Sequence, residues 1–166
     1  KNIKVDLQPD TFLGISLSYG EDGSIALTQG GYIDKMCSVY ARWLSDKVER
    51  YPHDSKGYEV LLDGAKGEVL RADMITHYNE IVGSLGYATI TRFEIQAELG
   101  YLRTRLQNPN RGDFDRALRM LRYLRTTREK GLKYTAGDDM EEENRTTLWC
   151  TSDASWNSHA DGRGQS

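Results

Sequence analysis

The sequence contains few residues that would cross-link or interrupt a fold. Its 166 residues include two cysteines and three prolines. Cys37 and Cys150 lie too far apart to give a metal-ligand spacing, and two cysteines make no disulfide framework. No run of about eighteen apolar residues occurs, so we expect no membrane-spanning helix. These absences favour a reducing, intracellular setting.

The motifs of common catalytic sites are also absent from the sequence. It has no Gly-rich phosphate loop, no Cys/His zinc spacing and no Ser/His/Asp order. Phosphoryl transfer on two metal ions needs a cluster of carboxylates, whereas Asp22, Asp34 and Asp153 stand in unrelated contexts. The acidic run at 138–143 is typical of a solvated linker. We therefore expect no polymerase or nuclease activity from this chain alone.

Charge is distributed unevenly along the chain. The net charge is -3, and acidic residues outnumber basic ones up to Gly100, but bases dominate from Tyr101 to Tyr134. A basic block inside an acidic protein indicates a polyanion contact. A solvated helix face is the alternative interpretation.

The N-terminal part predicts a β-hairpin. Leu13, Ile15 and Leu17 alternate with small or polar residues, which is the period of a strand. Asp22-Gly23 is a strong signal for a tight turn before the next apolar run.

Helical spacing of apolar residues predicts the rest of the fold. One helix is expected after Gly31 and three more within 73–130. Gly83 and Gly86 indicate that the first of these three packs closely against another helix. We expect the last helix to begin at Asp113 as its N-cap and to end near Gly131.

This last helix carries a row of basic residues at a spacing of three. The row forms a flank beside the apolar stripe of the helix, and it consists of Arg116, Arg119, Arg122 and Arg125. Arginine suits phosphate because its planar fork can bond two oxygens. The spacing therefore predicts a phosphate-binding face.

Several segments, in one order, resemble a known family. YNEIVGSLGYATITRFEIQAELGYL looks like the segment that follows the polymerase core in Ty1/copia-type retrotransposon polyproteins, which typically has Tyr-Arg-x-x-Val-Gly-Ser-Leu-x-Tyr-Leu and then Thr-Arg-Pro-Asp-Ile. ALRMLRYLRTTREKGLKY is similar to that family's Leu-Arg-Tyr-Leu-Lys-Gly-Thr-x-x-x-Gly-Leu. FLGISL, LTQGGYIDKM and TSDASW resemble its Phe-Leu-Gly-Ile, Gln-x-x-Tyr-x-x-Lys and Ser-Asp-Ala-Asp-Trp. The resemblance covers nearly the whole chain.

The chain departs from the family pattern at a few positions. Phe93-Glu94 replaces Pro-Asp, Asn79 replaces an arginine, and Gly86 replaces a large apolar residue. Thr126 replaces a glycine and Ser155 the second acid of Ser-Asp-Ala-Asp. These changes indicate divergence or decay of a retrotransposon.

The resemblance implies a slice of a polyprotein with an α+β fold. An N-terminal β-hairpin is followed by a mostly helical thumb and connection region, and the first strands of a ribonuclease H-like unit close the chain. The implied segments are the end of the polymerase palm with a primer-grip-like hairpin (1–28), a first thumb helix (29–50), a linker (51–72), a three-helix region (73–130), and a spacer with the truncated nuclease start (131–166).

The resemblance also implies which residues act. Phe12, Leu13 and Gly14 correspond to the primer grip, and the arginine row faces a template-primer duplex, either RNA–DNA or DNA. Asp153 corresponds to the first carboxylate of the nuclease and is a Mg²⁺ ligand only in the full-length parent; no cofactor is expected for this chain alone.

The implied parent is an RNA-directed DNA polymerase with ribonuclease H, and the rest of that polyprotein is the second expected partner. We expect a cytoplasmic stage in virus-like particles and a nuclear stage, without contact with a membrane. Two alternatives stay open: a domesticated or decayed, non-catalytic helical module that binds nucleic acid or protein, and a purely structural helical domain.

Overall fold

A computed structural model describes residues 7–53 and 67–135 of the chain. They form an α+β fold in which a four-stranded antiparallel sheet adjoins a body of helices, which confirms the predicted fold class. The strands follow the sheet order β1-β2-β3-β4. Their bounds are β1 Thr11–Phe12, β2 Ile15–Tyr19, β3 Ile25–Thr28 and β4 Gly131–Tyr134.

The predicted hairpin is confirmed as the pair of β2 and β3. The tight turn between them contains Gly23, whose φ of +76° is a conformation that glycine adopts without steric cost. The Asp22 carboxylate accepts a 3.0 Å hydrogen bond from the Ser24 amide. The Ser24 side chain is the main cause that holds the pKa of Asp22 below its usual range, and the bond from the Ser24 amide and the charge of Lys133 lower this pKa further.

The fourth strand was not predicted. Gly131 was expected near the C-terminal cap of the last helix, but that prediction is wrong, because Gly131 instead pairs with Thr28 in the sheet. A Cβ atom at this position would lie 2.0 Å from the Leu27 carbonyl oxygen. Only a glycine therefore lets the returning chain approach β3 closely enough to pair with it.

Within the residues that the structure describes, the helical body contains four α-helices and two short 3₁₀ turns. The helices are α1 Gly30–Val39, α2 Ala72–Ala88, α3 Gln96–Thr104 and α4 Arg111–Thr126. The 3₁₀ turns are Ala41–Trp43, which follows α1, and Phe93–Ile95, which precedes α3. In the segment 29–50, which was predicted as a first helix, α1 covers only the first part. The residues after the 3₁₀ turn form no helix or strand.

Helix α4 begins at a capping box. Asn110 is its N-cap and accepts a bond from the Asp113 amide at 3.0 Å, while the Asp113 carboxylate accepts one from the Asn110 amide at 2.9 Å. The prediction of Asp113 as the N-cap is therefore wrong, because Asp113 supplies the reciprocal half of the box. Tyr101 also donates to this carboxylate at 2.8 Å, which ties α3 to the start of α4.

The core lies where α4 packs against α1, α2 and α3. Phe114, Leu121 and Leu124 are fully buried on α4, and burying such a side chain contributes about 1.5–3 kcal/mol. At Gly86 a Cβ would lie 2.6 Å from a nitrogen at the end of the Arg103 side chain, which belongs to α3. This neighbour is a flexible side chain, so close packing of two helices at Gly86 stays a prediction. The same expectation for Gly83 is wrong, since no atom lies within 4 Å of its Cβ position.

Candidate nucleic-acid interface

The turn between β1 and β2 projects two apolar side chains into solvent. Phe12 is 62% exposed and Leu13 is 72% exposed. Leu13 and Gly14 form a two-residue turn with φ values of +50° and +77°. Positive φ at both positions is the backbone of a type I′ turn, which favours asparagine and glycine over leucine. A leucine in this conformation costs about 1–2 kcal/mol.

A side chain of helix α2 holds this turn in place. The Tyr87 hydroxyl, at the end of α2, donates a hydrogen bond to the Leu13 carbonyl oxygen. The Tyr87 ring lies edge-on to Tyr32 of α1, with 4.8 Å between the ring centroids. The exposed turn is therefore attached to two helices through one tyrosine.

A buried glutamine joins the same helices to the sheet. Gln29 is fully buried between β3 and α1. Its side-chain amide donates to the Tyr87 carbonyl oxygen at 3.2 Å and accepts from the Thr91 hydroxyl at 2.7 Å. The Tyr32 hydroxyl donates to the Ser84 carbonyl oxygen at 2.8 Å. Gln29, Tyr32 and Thr91 all belong to the family-like motifs, and here they position the turn.

The first residue of the arginine row is buried. Arg116 is 7% exposed, and its guanidinium lies 2.5 Å from the Glu98 carboxylate of α3. The guanidinium also lies 5.6 Å from the centroid of the Tyr101 ring. Because both partners belong to α3, Arg116 joins α3 to α4 inside the body.

The two middle arginines converge on one carboxylate from the segment after α1. A nitrogen of Arg119 lies 3.0 Å from Glu49, and a nitrogen of Arg122 lies 3.5 Å from it. Glu49 is 4% exposed, and the exposed Lys47 also reaches it at 3.1 Å. The basic flank that the sequence predicts is thus present, but this segment covers it.

The last arginine of the row extends this contact. Arg125 donates to the Ser45 carbonyl oxygen at 2.6 Å. Next to it, the Thr126 hydroxyl accepts a bond from the Glu49 amide at 3.3 Å. Residues 45–49 therefore follow the surface of α4 and contact it mainly through side chains of the helix.

A second polar network joins the end of α4 to the connection between α2 and α3. The side chain of Arg92, 1% exposed, binds Glu94 at 2.7 Å and donates to the Thr127 carbonyl oxygen at 3.0 Å and hydroxyl at 2.6 Å. Tyr123 donates to the same Glu94 carboxylate at 3.0 Å. Burial raises the pKa of the Tyr123 hydroxyl, and the charge of Glu94 raises it further.

A groove of about 280 Å³ opens over this network. Arg92, Glu94 and Tyr123 of the network line this groove, together with Lys130 and Phe93. The Arg92 guanidinium is already bonded to Glu94 and Thr127, so the groove presents Lys130 as its exposed cation. The network holds two parts of the body together and contains no nucleophile paired with a base.

Within residues 7–53 and 67–135, no group of three His, Cys, Asp or Glu side chains could hold a metal ion. Asp153, the predicted nuclease carboxylate, lies outside the described residues, as does the whole nuclease-like end after residue 135. In the same part of the chain, no helix is both long and apolar enough to cross a membrane.

One curated relative connects these features to a class of protein. The chain is 31% identical over 144 residues to the Saccharomyces cerevisiae protein named "Putative transposon Ty5-1 protein". The match covers 85% of this chain and 43% of the relative, so the chain spans less than half of the relative's length. The predicted relation to transposon proteins is confirmed, whereas the assignment to a polymerase and ribonuclease H region stays a prediction.

Two further comparisons found no match. No family model matches the chain, and no solved structure matches it. The relation to transposon proteins therefore depends on the yeast relative and on the ordered motifs in the sequence.

The structure brings the predicted residues into two separate groups. Phe12, Leu13 and Gly14 lie together at the turn, and the arginine row lies along α4. Sequence reasoning missed Tyr87 as the anchor of the turn and Glu49 as the partner of the row. The family-like segment around Tyr87 was a signal that could have identified this anchor. Glu49 lies in a segment without periodicity, which gave no signal of its role.

Proposed function

We propose that this chain is the part of a retrotransposon reverse transcriptase that follows the polymerase catalytic core and holds the template-primer duplex. The observation that carries the proposal is the turn at Leu13 and Gly14, which is exposed at its tip and fixed at its base by Tyr87. An exposed aromatic and an exposed aliphatic side chain on a fixed turn suit contact with a terminal base or sugar. The relation to a transposon protein supports the same assignment.

The proposal gives this chain a role in binding and not in bond chemistry. Polymerase aspartates and most nuclease carboxylates would come from other parts of the parent protein, together with the Mg²⁺ that they hold.

Asp153 would be the first of the nuclease carboxylates. Replacing it by Asn in a longer protein that includes the downstream domain should abolish hybrid cleavage; undiminished cleavage would remove Asp153 from the site.

The test of the grip is a binding measurement with a matched control. Phe12→Ser should weaken binding of a labelled RNA–DNA duplex by roughly tenfold, because stacking of a base on an aromatic ring contributes about 1–3 kcal/mol. Phe93→Ser removes a ring that is similarly exposed, at 65%, from another part of the molecule. It should leave the affinity almost unchanged. Equal effects of the two substitutions would contradict a specific role for the turn.

The salt dependence of binding tests the arginine row. Each phosphate that a Lys or Arg neutralises steepens the dependence of affinity on salt by roughly one unit. The double substitution Arg119→Gln and Arg122→Gln should flatten that slope. An unchanged slope would leave the row with a purely structural role.

One observation favours a second candidate, a non-catalytic helical module that binds a protein or a nucleic acid. Arg116, Arg119 and Arg122 all have carboxylate partners within the chain, as a structural domain would show. Absence of duplex binding at any salt concentration, in a folded protein, would favour this candidate over the grip.

A further inference from the structure

Glu49 occupies a position that suits an anion with more oxygens than a carboxylate has. Its carboxylate lies between Arg119 and Arg122, whose side chains are only 22% and 14% exposed. The Nε atoms of both arginines are buried and make no hydrogen bond within the described part of the chain. The pair therefore retains donors that Glu49 does not use.

The charges and geometry of this pair match a phosphodiester. Arginine forks bond phosphate oxygens in pairs, and such charge-assisted bonds are roughly twice as strong as neutral ones. A phosphate that replaced Glu49 could use the free Nε donors as well as the terminal nitrogens. The exposed Lys47 lies at the border of the same position and adds a third cation.

The segment that carries Glu49 is weakly attached to the body. Residues 45–53 form no helix or strand. Among the described residues, no backbone–backbone hydrogen bond ties this stretch to the rest of the fold. In the described part of the chain, its polar contacts with α4 are the ion pairs of Glu49 and the bonds to Arg125 and Thr126. Segments with few backbone bonds open at low cost in free energy.

We propose that Glu49 is a built-in competitor that covers a phosphate site on α4 and leaves it when a nucleic-acid backbone binds to Arg119 and Arg122. This inference rests on the proposed function, since it assumes that the chain binds nucleic acid. It adds a second state of the protein, in which residues 45–49 are displaced from α4. It also predicts that the Glu49 carboxylate lowers the affinity of the protein for nucleic acid.

The experiment compares Glu49→Gln with Asp46→Asn in binding to a labelled RNA–DNA duplex. Both substitutions remove one negative charge from the same segment, but Asp46 is exposed and lies outside the Glu49 ion pairs. Glu49→Gln should raise the affinity roughly tenfold and steepen the salt slope by about one to two units, because two arginines become available. Asp46→Asn should change both much less, and adding Arg119→Gln and Arg122→Gln to Glu49→Gln should abolish the gain.

A measurement on the wild-type protein covers the case in which Glu49→Gln does not fold. Binding of the duplex should speed up hydrogen exchange of the Glu49 amide, which donates to Thr126 in the free protein. If wild type binds the duplex and this exchange is unchanged or slower, the competitor role is wrong and the grip stands. An equal gain from Asp46→Asn also overturns it. If no folded variant binds, the inference and the proposed function fail together.

Discussion

The helical body and the sheet of this protein differ in how much apolar surface they bury. The main core lies entirely within α1–α4 and the turns beside them. In the described strands, Ile15 is the one buried apolar residue, while the β1–β2 turn exposes Phe12 and Leu13. The comparison indicates that the body supplies most of the stability, whereas the sheet leaves apolar side chains exposed at the β1–β2 turn. Gln29 and Tyr87 connect the two regions.

The largest expected difference concerns leucines in the two regions. Leu121→Ala, in the body, should lower the free energy of unfolding by about 2–5 kcal/mol, because it leaves a cavity in a fully buried site. Leu17→Ala, on the half-exposed sheet, should cost about 1 kcal/mol or less. Denaturant titrations of both variants measure the difference, and equal losses would contradict the division between the regions.

The next effect concerns the network at the end of α4. Arg92→Met should lower the free energy of unfolding by about 2 kcal/mol, since it leaves Glu94 and Thr127 without their buried donor. Arg71→Met is the control, because Arg71 makes an exposed ion pair with Asp73. This substitution should lower the free energy of unfolding by about 0.5 kcal/mol or less. Thermal unfolding of the two variants would show whether the buried network stabilises the body more than a surface pair does.

Local patterns in the sequence predicted much of the fold. The hairpin and the helices follow from alternation, helical spacing and turn residues, which depend on neighbours along the chain. Strand β4 was missed because Gly131–Tyr134 has no strong pattern of its own and forms a strand only by pairing with β3. Such pairing between segments far apart in the sequence cannot be derived from periodicity.

The candidate site was predicted only in part, because it too depends on contacts between segments far apart in the sequence. The spacing predicted a row along α4, but Arg116 points into the body towards α3, whereas the later arginines contact residues 45–49. The row's partners Glu98 and Glu49 come from two other elements, so only the packed structure shows that the flank is covered. Glu49 has no feature in the sequence that distinguishes it from an exposed acid.

A smaller effect should separate stability from function at the turn. Leu13→Asn should raise the free energy of unfolding by about 1 kcal/mol, because asparagine tolerates the positive φ of this position better than leucine does. The same change should weaken duplex binding, because it removes the exposed apolar side chain. Paired unfolding and binding measurements test this; a variant that gains stability and keeps full affinity would show that Leu13 does not contact the duplex.

The smallest effect is a pH dependence at the β2–β3 turn. The pKa of Asp22 is lowered in the folded protein, so its contribution is present above the pKa of an unfolded aspartate, about 3.9. It is lost as the pH falls through the lower folded-state pKa. The amide resonance of Ser24, which donates to Asp22, should shift in that range, and Asp22→Asn should remove the transition. A Ser24 shift that persists in Asp22→Asn would assign the titration to another group.

Hydrogen exchange of the wild-type protein, with and without a template-primer RNA–DNA duplex, tests the central claim most directly. The claim is that the body holds the β1–β2 turn as a surface for nucleic acid. We expect exchange at Leu13, Gly14 and Leu17 to slow when the duplex is bound, while the buried amides of α2 stay unchanged. Saturated binding with unaltered exchange at the turn would contradict the account.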